Sequence, residues 1–318
     1  MEPVTMQAAV DEYVTFRRNL GVALRIEGQL LQHFARFADQ TGHRGPITTD
    51  LALRWAKLPS GASALYHAQR LDIIRRLARH RAPFDVGVEV PPDGLLGPSC
   101  RRCPPHIYTQ EQVAALMKAA SELRSTKALR AYTYTALFGL LACTGMRISE
   151  ALGLTRRDVD LGTGVITIRS GKVRTSRLVP THDRATAALR AYAEQRDRRV
   201  ACPRSEAFFL SESGTSLKYI TVHHTFDRLR HQLGWKSGRQ QRGPRIHDLR
   251  HTFTVRCMIR WYEEGAEIDR KIALLSTYLG HANVSSTYWY LSAVPELLAL
   301  AAARFERDAT LSGAGGVR

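Results

Sequence analysis

Hydrophobic residues recur at helical spacing through the first eighty residues of the chain. Two apolar stripes show this spacing: Met6, Val10, Tyr13 and Val14, followed by Leu24, Leu31, Phe34 and Ala38. A third helix is predicted at about residues 49–58, because Pro59 and Gly61 follow it, and a fourth at residues 64–81. These helices predict a small all-helical first domain at residues 1–90.

The fourth predicted helix carries a basic face as well as an apolar one. Arg75, Arg76 and Arg79 lie on a different face of this helix from its apolar positions. A basic helix of this kind can lie along a DNA groove, which makes the three arginines candidate DNA-binding residues. The alternative is an ordinary solvated face, and the pattern does not separate the two.

A stretch rich in Pro and Gly at residues 91–106 predicts a linker, and a second domain follows at residues 107–318. Thr109 and Gln112 form a capping box that opens the second domain, and most of its later segments have helical patterns. Residues 165–168 and 177–180 predict two strands of an antiparallel hairpin, with residues 207–210 as a candidate third strand. The expected fold class is mainly α (α+β), with a helical bundle and a mixed, mostly helical second domain that holds a small sheet.

Positive charge is concentrated in the second part of the chain. Residues 1–98 hold 12 Lys and Arg against 10 Asp and Glu, whereas residues 99–318 hold 34 against 19, within a formal net charge of +17. A basic surface of this size favours a polyanion such as DNA or RNA, although a solvated basic surface is the plainer alternative. The chain has neither a long apolar span nor an apolar secretory core near its start, so a cytoplasmic location without a membrane partner is expected.

Cys100 and Cys103 form a C-x-x-C sequence with His106 three residues later, which suggests a zinc site. A structural zinc ion needs four ligands, and no second Cys or His pair at metal spacing follows nearby. Neither a phosphate-binding glycine loop nor a dinucleotide fingerprint occurs in the sequence. We therefore expect no metal and no cofactor.

Three separated motifs carry the candidate chemistry: TGMRISEAL at residues 144–152, HDLRHTF at 247–253 and LGHANVSSTYWYLS at 279–292. Arg147 and Arg250 could stabilise the extra negative charge of a pentavalent phosphorane, because a guanidinium donates two parallel bonds to a phosphate. A tyrosine hydroxyl makes a reversible phosphodiester, and a histidine or lysine can protonate the departing sugar oxygen. Together the motifs favour tyrosine attack on a phosphodiester.

These motifs resemble the signature boxes of the tyrosine recombinase (phage integrase) family over about residues 107–295. The resemblance implies a set of site residues in chain order: Arg147, Glu150, Lys172, His247, Arg250, His281 and Tyr290. The family's nucleophile lies nine residues after the second histidine, which selects Tyr290 over Tyr288. Glu150 holds the place of a supporting acid, and Lys172 that of the lysine on the β-hairpin. Each residue alone has a plain structural alternative, and the argument for the site is that all of them occur in the required order.

The resemblance implies an enzyme that cuts and rejoins DNA strands through a 3′-phosphotyrosyl intermediate without metal or ATP. Arg147, Arg250 and His281 would stabilise the phosphorane, Lys172 would protonate the 5′-oxygen, and His247 would assist proton transfer at tyrosine. The implied partners are double-stranded DNA with specific recombination sites and a synaptic homo-tetramer, with a C-terminal helix docked on a neighbour. Two alternatives stay open: DNA relaxation like that of a type IB topoisomerase, and a catalytically silent DNA-binding protein.

His281 follows His247 by 34 positions, an interval somewhat longer than in the compact members of the family that the motifs resemble. An extended helix or loop at about residues 261–268 is the expected result. This pattern is similar to recombinases encoded by transposons, including those that occur as sets of sister recombinases, and it directs the expected role toward transposition or integration.

Overall fold

The computed structural model describes residues 5–100, 104–169, 176–235, 243–281 and 283–314, and the side chains of 286, 292, 293 and 307–314 are not considered. The chain divides into two compact units, residues 1–103 and 104–318. Each unit has a hydrophobic core of its own. None of the described helices has the length and apolar character required to cross a bilayer.

The first unit is a bundle of four helices, which confirms the four predicted from periodicity: α1 (Met6–Asn19), α2 (Arg25–Gln40), α3 (Thr49–Lys57) and α4 (Ala64–Arg81). Side-chain oxygens of Thr5, Thr48 and Ser63 cap the amino ends of α1, α3 and α4 by accepting backbone N–H bonds. The apolar stripes meet in a core around Phe34 and Trp55, whose rings pack edge to face with centroids 5.5 Å apart.

Arg75 ties the segment after α4 to the first unit. Its guanidinium donates to the carbonyl oxygens of Pro91 and Pro92, at 2.8 Å each, and forms an ion pair with Asp72 at 2.7 Å. Part of the segment predicted as a linker therefore packs on the helical bundle. The side chain of Arg75 is buried, so this arginine holds the fold and does not face a DNA groove, which corrects its proposed DNA-binding role.

The second unit contains nine α-helices in its described residues: α5 (Gln110–Ser121), α6 (Leu129–Thr144), α7 (Ile148–Gly153), α8 (Asp183–Arg199), α9 (Tyr219–Gln232), α10 (Asp248–Glu263), α11 (Ile268–Leu279), α12 (Ser285–Ala293) and α13 (Pro295–Ala314). The capping box predicted at Thr109 and Gln112 is present at the start of α5. Between α10 and α11 the chain turns at Gly265, so the interval before the third motif holds most of α10, a short turn and α11.

The sheet has three short antiparallel strands in the order β1 (Val159–Asp160), β2 (Val165–Ile168) and β3 (Arg177–Pro180). Ile166 pairs with Val179 in the β2–β3 hairpin, and Val159 pairs with Ile166 on the other side. The predicted third strand at residues 207–210 is wrong, because this segment makes only isolated bridges at Ala207 and Leu210.

The last four helices surround a separate apolar cluster within the second unit. Leu275 of α11, Tyr290 of α12 and Leu297 of α13 are buried there against Met258 of α10. Helix α13 therefore packs on its own chain through Leu297. Another face of α13 is exposed, because Phe305 is 75% exposed.

Candidate active site

The first motif places Arg147 at the start of α7 through a sharp turn. Gly145 ends α6 with φ +61°, and a Cβ atom there would lie 2.5 Å from the ring of Phe253. Only glycine fits this left-handed position without strain. The backbone N–H of Arg147 then donates to the carboxylate of Glu150 at 2.8 Å, which fixes the first turn of α7.

The two predicted arginines meet at the turn that carries the third motif. Arg147 donates from Nη2 to the carbonyl oxygen of Gly280, and Arg250 donates from Nη2 to that of Leu279, each at 2.8 Å. Arg250 also donates to the carbonyl of Gly145 at 2.9 Å. Burial and the charge of Arg147 lower the pKa of Arg250 to about 10, so the Arg250 guanidinium is still positive at neutral pH. Three motifs distant in sequence thus share one hydrogen-bond network.

Glu150 links Arg147 to an arginine that the sequence analysis missed. Its carboxylate accepts from Arg147 at 2.9 Å and from both terminal nitrogens of Arg177 at 3.0 and 2.8 Å. Burial disfavours the charged carboxylate, but the bonds from Arg177 and Arg147 outweigh it, so the pKa of Glu150 is lowered. Arg177 also donates to the carbonyl of Tyr278 at 2.7 Å. Its position at the start of β3, in the basic hairpin sequence, was the available signal.

Both predicted histidines lie beside these arginines and are neutral at pH 7. His247 directly precedes α10, and burial together with the charge of Arg250 lowers its pKa. His281 follows Gly280, and its Nδ1 lies 2.8 Å from the hydroxyl of Thr287. Burial and the charges of Arg250 and Arg147 lower the pKa of His281 to about 4. Neutral imidazoles can donate one hydrogen bond to a phosphate oxygen from the protonated nitrogen.

The two candidate tyrosines have different surroundings. Tyr290 is 2% exposed, and its hydroxyl lies 2.5 Å from Nδ1 of His251, the residue next to Arg250 on α10. Tyr288 is 40% exposed and donates to Asp269 of α11 at 3.0 Å. Burial raises the pKa of Tyr290, and the charge of Arg250 opposes this effect. Of the two phenols, that of Tyr290 belongs to the network of the second motif.

His251 was not among the site residues predicted from the sequence. The available signal was its place four residues after His247 in HDLRHTF, which puts both side chains on one face of α10. The two rings pack edge to face with centroids 4.7 Å apart.

Other predicted residues lie apart from this cluster or outside the description. Lys172, which falls between β2 and β3 in the sequence, is outside the described residues. Cys103 is also outside them. Cys100 is an exposed free thiol. In the first unit, Arg76 forms ion pairs with Asp72 at 2.9 Å and Glu27 at 3.1 Å, and Arg79 pairs with Asp93 at 3.0 Å. The basic face of α4 is therefore largely matched by acids.

The arrangement suits a phosphodiester. Arg147, with a side chain 37% exposed, and the buried Arg250 supply two fixed positive charges. His247 and His281 add neutral donors beside them. Fixed donors of this kind stabilise negative charge that develops at a reacting phosphorus, because they need no reorganisation when the charge appears. The phenol of Tyr290, hydrogen-bonded to the residue that follows Arg250, is the candidate nucleophile.

The family model described as Phage integrase family matches residues 107–296 of the chain. A putative integrase/recombinase, y4rB, from Sinorhizobium fredii is 42% identical over 309 residues, which cover 95% of this chain and 98% of that protein. Tyrosine recombinase XerD from Bradyrhizobium diazoefficiens is 29% identical and covers 84% of this chain and 85% of its own length.

Solved structures of similar fold include two recombinases in complex with DNA. The XerH site-specific recombinase bound to palindromic difH substrate has a TM-score of 0.66 at 18% identity, covering 93% of this chain and 84% of that one. The Tn1549 transposon integrase with circular intermediate DNA also has a TM-score of 0.66, at 19% identity, covering 90% of this chain and 94% of that one. The fold, the three motifs that meet in one network, and the family match together show that the chain belongs to the phage integrase family of tyrosine recombinases.

Proposed function

We propose that this site-specific recombinase cuts DNA with the hydroxyl of Tyr290, forming a 3′-phosphotyrosyl bond and releasing a 5′-hydroxyl. The observation that carries the proposal is the meeting of Arg147 and Arg250 at the turn of Leu279 and Gly280, with Tyr290 hydrogen-bonded to the neighbour of Arg250. A bound phosphate would replace backbone carbonyls as a partner of these guanidinium groups. Tyr290 is buried in the DNA-free chain, so the scissile phosphate must gain access to its phenol when DNA binds.

The remaining roles follow from charge and proton balance. Arg147, Arg250 and His281 stabilise the phosphorane, and Lys172 supplies the proton that the 5′-oxygen needs as it leaves. Glu150 and Arg177 hold Arg147 in place. Because one phosphodiester is exchanged for another, the bond energy is kept in the phosphotyrosine and the step needs no ATP. The side chains supply the positive charge, so the reaction as proposed needs no metal.

The partners as proposed are duplex DNA with specific recombination sites and three further copies of the chain in a synaptic tetramer. The role is integration or transposition of a mobile element. Two observations support this role: the long interval before the third motif, and similarity to y4rB, whose name is putative integrase/recombinase. Sister recombinases are candidate additional partners. A protein that acts on such DNA works in the bacterial cytoplasm, at the nucleoid.

Neither alternative from the sequence analysis is favoured. The described part of the site retains both arginines, both histidines and the tyrosine, which argues against a silent DNA-binding protein. The family match and the relatives named integrase or recombinase argue against a topoisomerase.

In the first unit, the groove between α1 and α2 is a better DNA-contact surface than α4. Arg18, Arg25 and Arg36 line this groove with His33, and in the described part of the chain none of the three arginines has a carboxylate partner. Unpaired arginines are free to neutralise phosphates, whereas those of α4 are already paired. Replacing Arg25 and Arg36 by Ala should weaken DNA binding and flatten its salt dependence. The control replacements Arg76→Ala and Arg79→Ala should change DNA binding and its salt dependence less.

The function is tested with a nicked duplex that carries the site protected by the purified protein from nuclease digestion. Cleavage beside the nick loses a short strand, so the covalent adduct accumulates. We expect a protein–DNA band in EDTA without nucleotide, on a 3′-phosphate and with a free 5′-hydroxyl. A 5′-linked adduct, or strand cleavage without any adduct, would contradict the proposal.

A further inference from the structure

The hydroxyl of Tyr290 meets one imidazole in the described structure. Nδ1 of His251 lies 2.5 Å from this hydroxyl, and the two ring centroids are 5.4 Å apart. The two residues come from different motifs, 39 positions apart, and both are largely buried. A short contact between a buried phenol and an imidazole is the geometry expected for a nucleophile and its base.

His251 is held in its neutral form before DNA binds. Burial and neighbouring positive charges lower its pKa to about 3. The titratable or charged groups that face it are His247, Arg245 and Arg250 on the same helix or at its start, His281 from the turn after α11, and Tyr290 from α12. A neutral ring with its proton on Nε2 has a lone pair on Nδ1, so Tyr290 donates the hydrogen bond.

We propose that His251 is a catalytic residue that takes the proton from Tyr290 as the phenol attacks the scissile phosphate. This proposal rests on Tyr290 being the nucleophile. As the bond from Oη of Tyr290 to phosphorus forms and the bond from phosphorus to the 5′-oxygen breaks, the phenolic proton passes to Nδ1 of His251. A second proton reaches the 5′-oxygen from Lys172. Religation reverses both transfers, and the His251 imidazolium returns its proton to the departing phenolate.

The bound phosphate makes this transfer possible. In the free protein the positive charges of Arg245 and Arg250 oppose an imidazolium, and a phosphodiester bound by the arginines compensates those charges. The sequence analysis assigned this role to His247. That ring, however, packs edge to face on His251, whose Nδ1 lies 2.5 Å from the Tyr290 hydroxyl.

The test compares His251→Asn with wild type in single-turnover cleavage of the nicked duplex. An asparagine can keep an oxygen near Nδ1 to accept the bond from Tyr290, but it cannot take the proton. We expect the cleavage rate to fall about 100-fold, within the range for general acid–base catalysis. The rate of wild type should fall at acidic pH as the base is protonated, and His251→Asn should lose that dependence. His224→Asn, at an exposed position of α9, is the matched control and should cleave like wild type.

A substrate with sulfur in place of the bridging 5′-oxygen distinguishes the two proton transfers. A thiolate leaves without protonation, so this substrate no longer needs the proton from Lys172. It should restore much of the rate of Lys172→Ala and little of that of His251→Asn. Equal restoration of both variants, or a His251→Asn rate within about twofold of wild type, would overturn the proposal. DNA binding and a cooperative urea unfolding transition show whether His251→Asn folds. Peptide mapping of the wild-type adduct tests Tyr290 separately, so an adduct on another residue defeats the proposed function rather than this inference alone.

Discussion

Arg177 and Glu150 form a buried ion pair at 2.8 Å between the start of β3 and α7. Their side chains are 14% and 5% exposed, and the same carboxylate holds Arg147. The hairpin therefore holds Arg147, the proposed catalytic arginine, through the shared carboxylate of Glu150. Breaking such a pair leaves a buried charge without its main partner.

Arg177→Met should lower the free energy of unfolding by about 2 to 4 kcal/mol and slow DNA cleavage, since Glu150 keeps only Arg147 as an ionic partner. Urea unfolding and single-turnover cleavage measure the two effects. The control is Arg54→Ala, which removes an exposed pair with Asp50 and should cost less than about 1 kcal/mol. Equal losses in both variants would show that the Arg177–Glu150 pair has no special role.

Gly280→Ala should impair cleavage more than it impairs folding. Gly280 has φ +67°, and a Cβ there would lie 2.8 Å from Nη1 of Arg177 and 3.5 Å from Nη1 of Arg147. The left-handed backbone alone costs about 1 kcal/mol with alanine, and displacement of the arginines adds a loss of rate. Gly265→Ala is the matched control, because its φ is +68° and no heavy atom would lie within 4 Å of the added Cβ. A cleavage rate equally reduced in both variants would contradict this account.

The stability of the DNA-free second unit should fall as the pH drops below about 6.5. Burial lowers the pKa of His251 to about 3 and that of His281 to about 4, so below 6.5 the unfolded chain takes up protons that the folded chain does not. The slope should reach about 1.4 kcal/mol per pH unit for His251, and less for His281, which water reaches more easily. Urea unfolding from about pH 4.5 to about pH 7.5 measures it.

His251→Asn should flatten this pH dependence, whereas the exposed His224→Asn should leave it unchanged. A stability that rises on acidification over the same range would mean that these histidines gain protons on folding, contrary to their surroundings.

The outward side of α13 should support assembly on DNA. Leu298 and Phe305 are exposed, whereas Leu297 of the same helix is buried in its own chain. Replacing Leu298 and Phe305 by Ser should leave folding intact and weaken the synaptic tetramer, measured by light scattering of the protein on its DNA site. Leu297→Ala is the contrasting variant and should destabilise the second unit by about 2 to 5 kcal/mol. Unchanged assembly with the doubly substituted helix would remove this face from the interface.

Helical periodicity predicted the helices of the first unit, and the spacing of the motifs predicted most of the candidate site residues. The four helices of the first unit were predicted from the spacing of their apolar residues, and the bounds predicted for α3, α4 and the β2–β3 hairpin lie close to those observed. The two-residue strand β1 was missed, and residues 207–210 were chosen in its place, because β-branched and aromatic content does not show which segment finds a partner.

The roles of Arg75, Arg177 and His251 depend on tertiary contacts that the sequence pattern does not show. The spacing of Arg75 on α4 suggested an exposed basic face, but the carbonyls of Pro91 and Pro92 bury that guanidinium. Arg177 and His251 were missed because their importance depends on contacts with Glu150 and Tyr290, far away in the chain. A motif identifies residues by their order in the sequence. The contacts of Arg177 and His251 form only when the helices and the hairpin are packed together.

The identity of the nucleophile is the central claim, and Tyr290→Phe beside Tyr288→Phe tests it most directly. Both variants are incubated with the nicked duplex, and the covalent adduct is digested and mapped by mass spectrometry. We predict DNA binding by both variants, no adduct with Tyr290→Phe, and a normal adduct on Tyr290 with Tyr288→Phe. An adduct that persists in Tyr290→Phe and disappears in Tyr288→Phe would contradict the account.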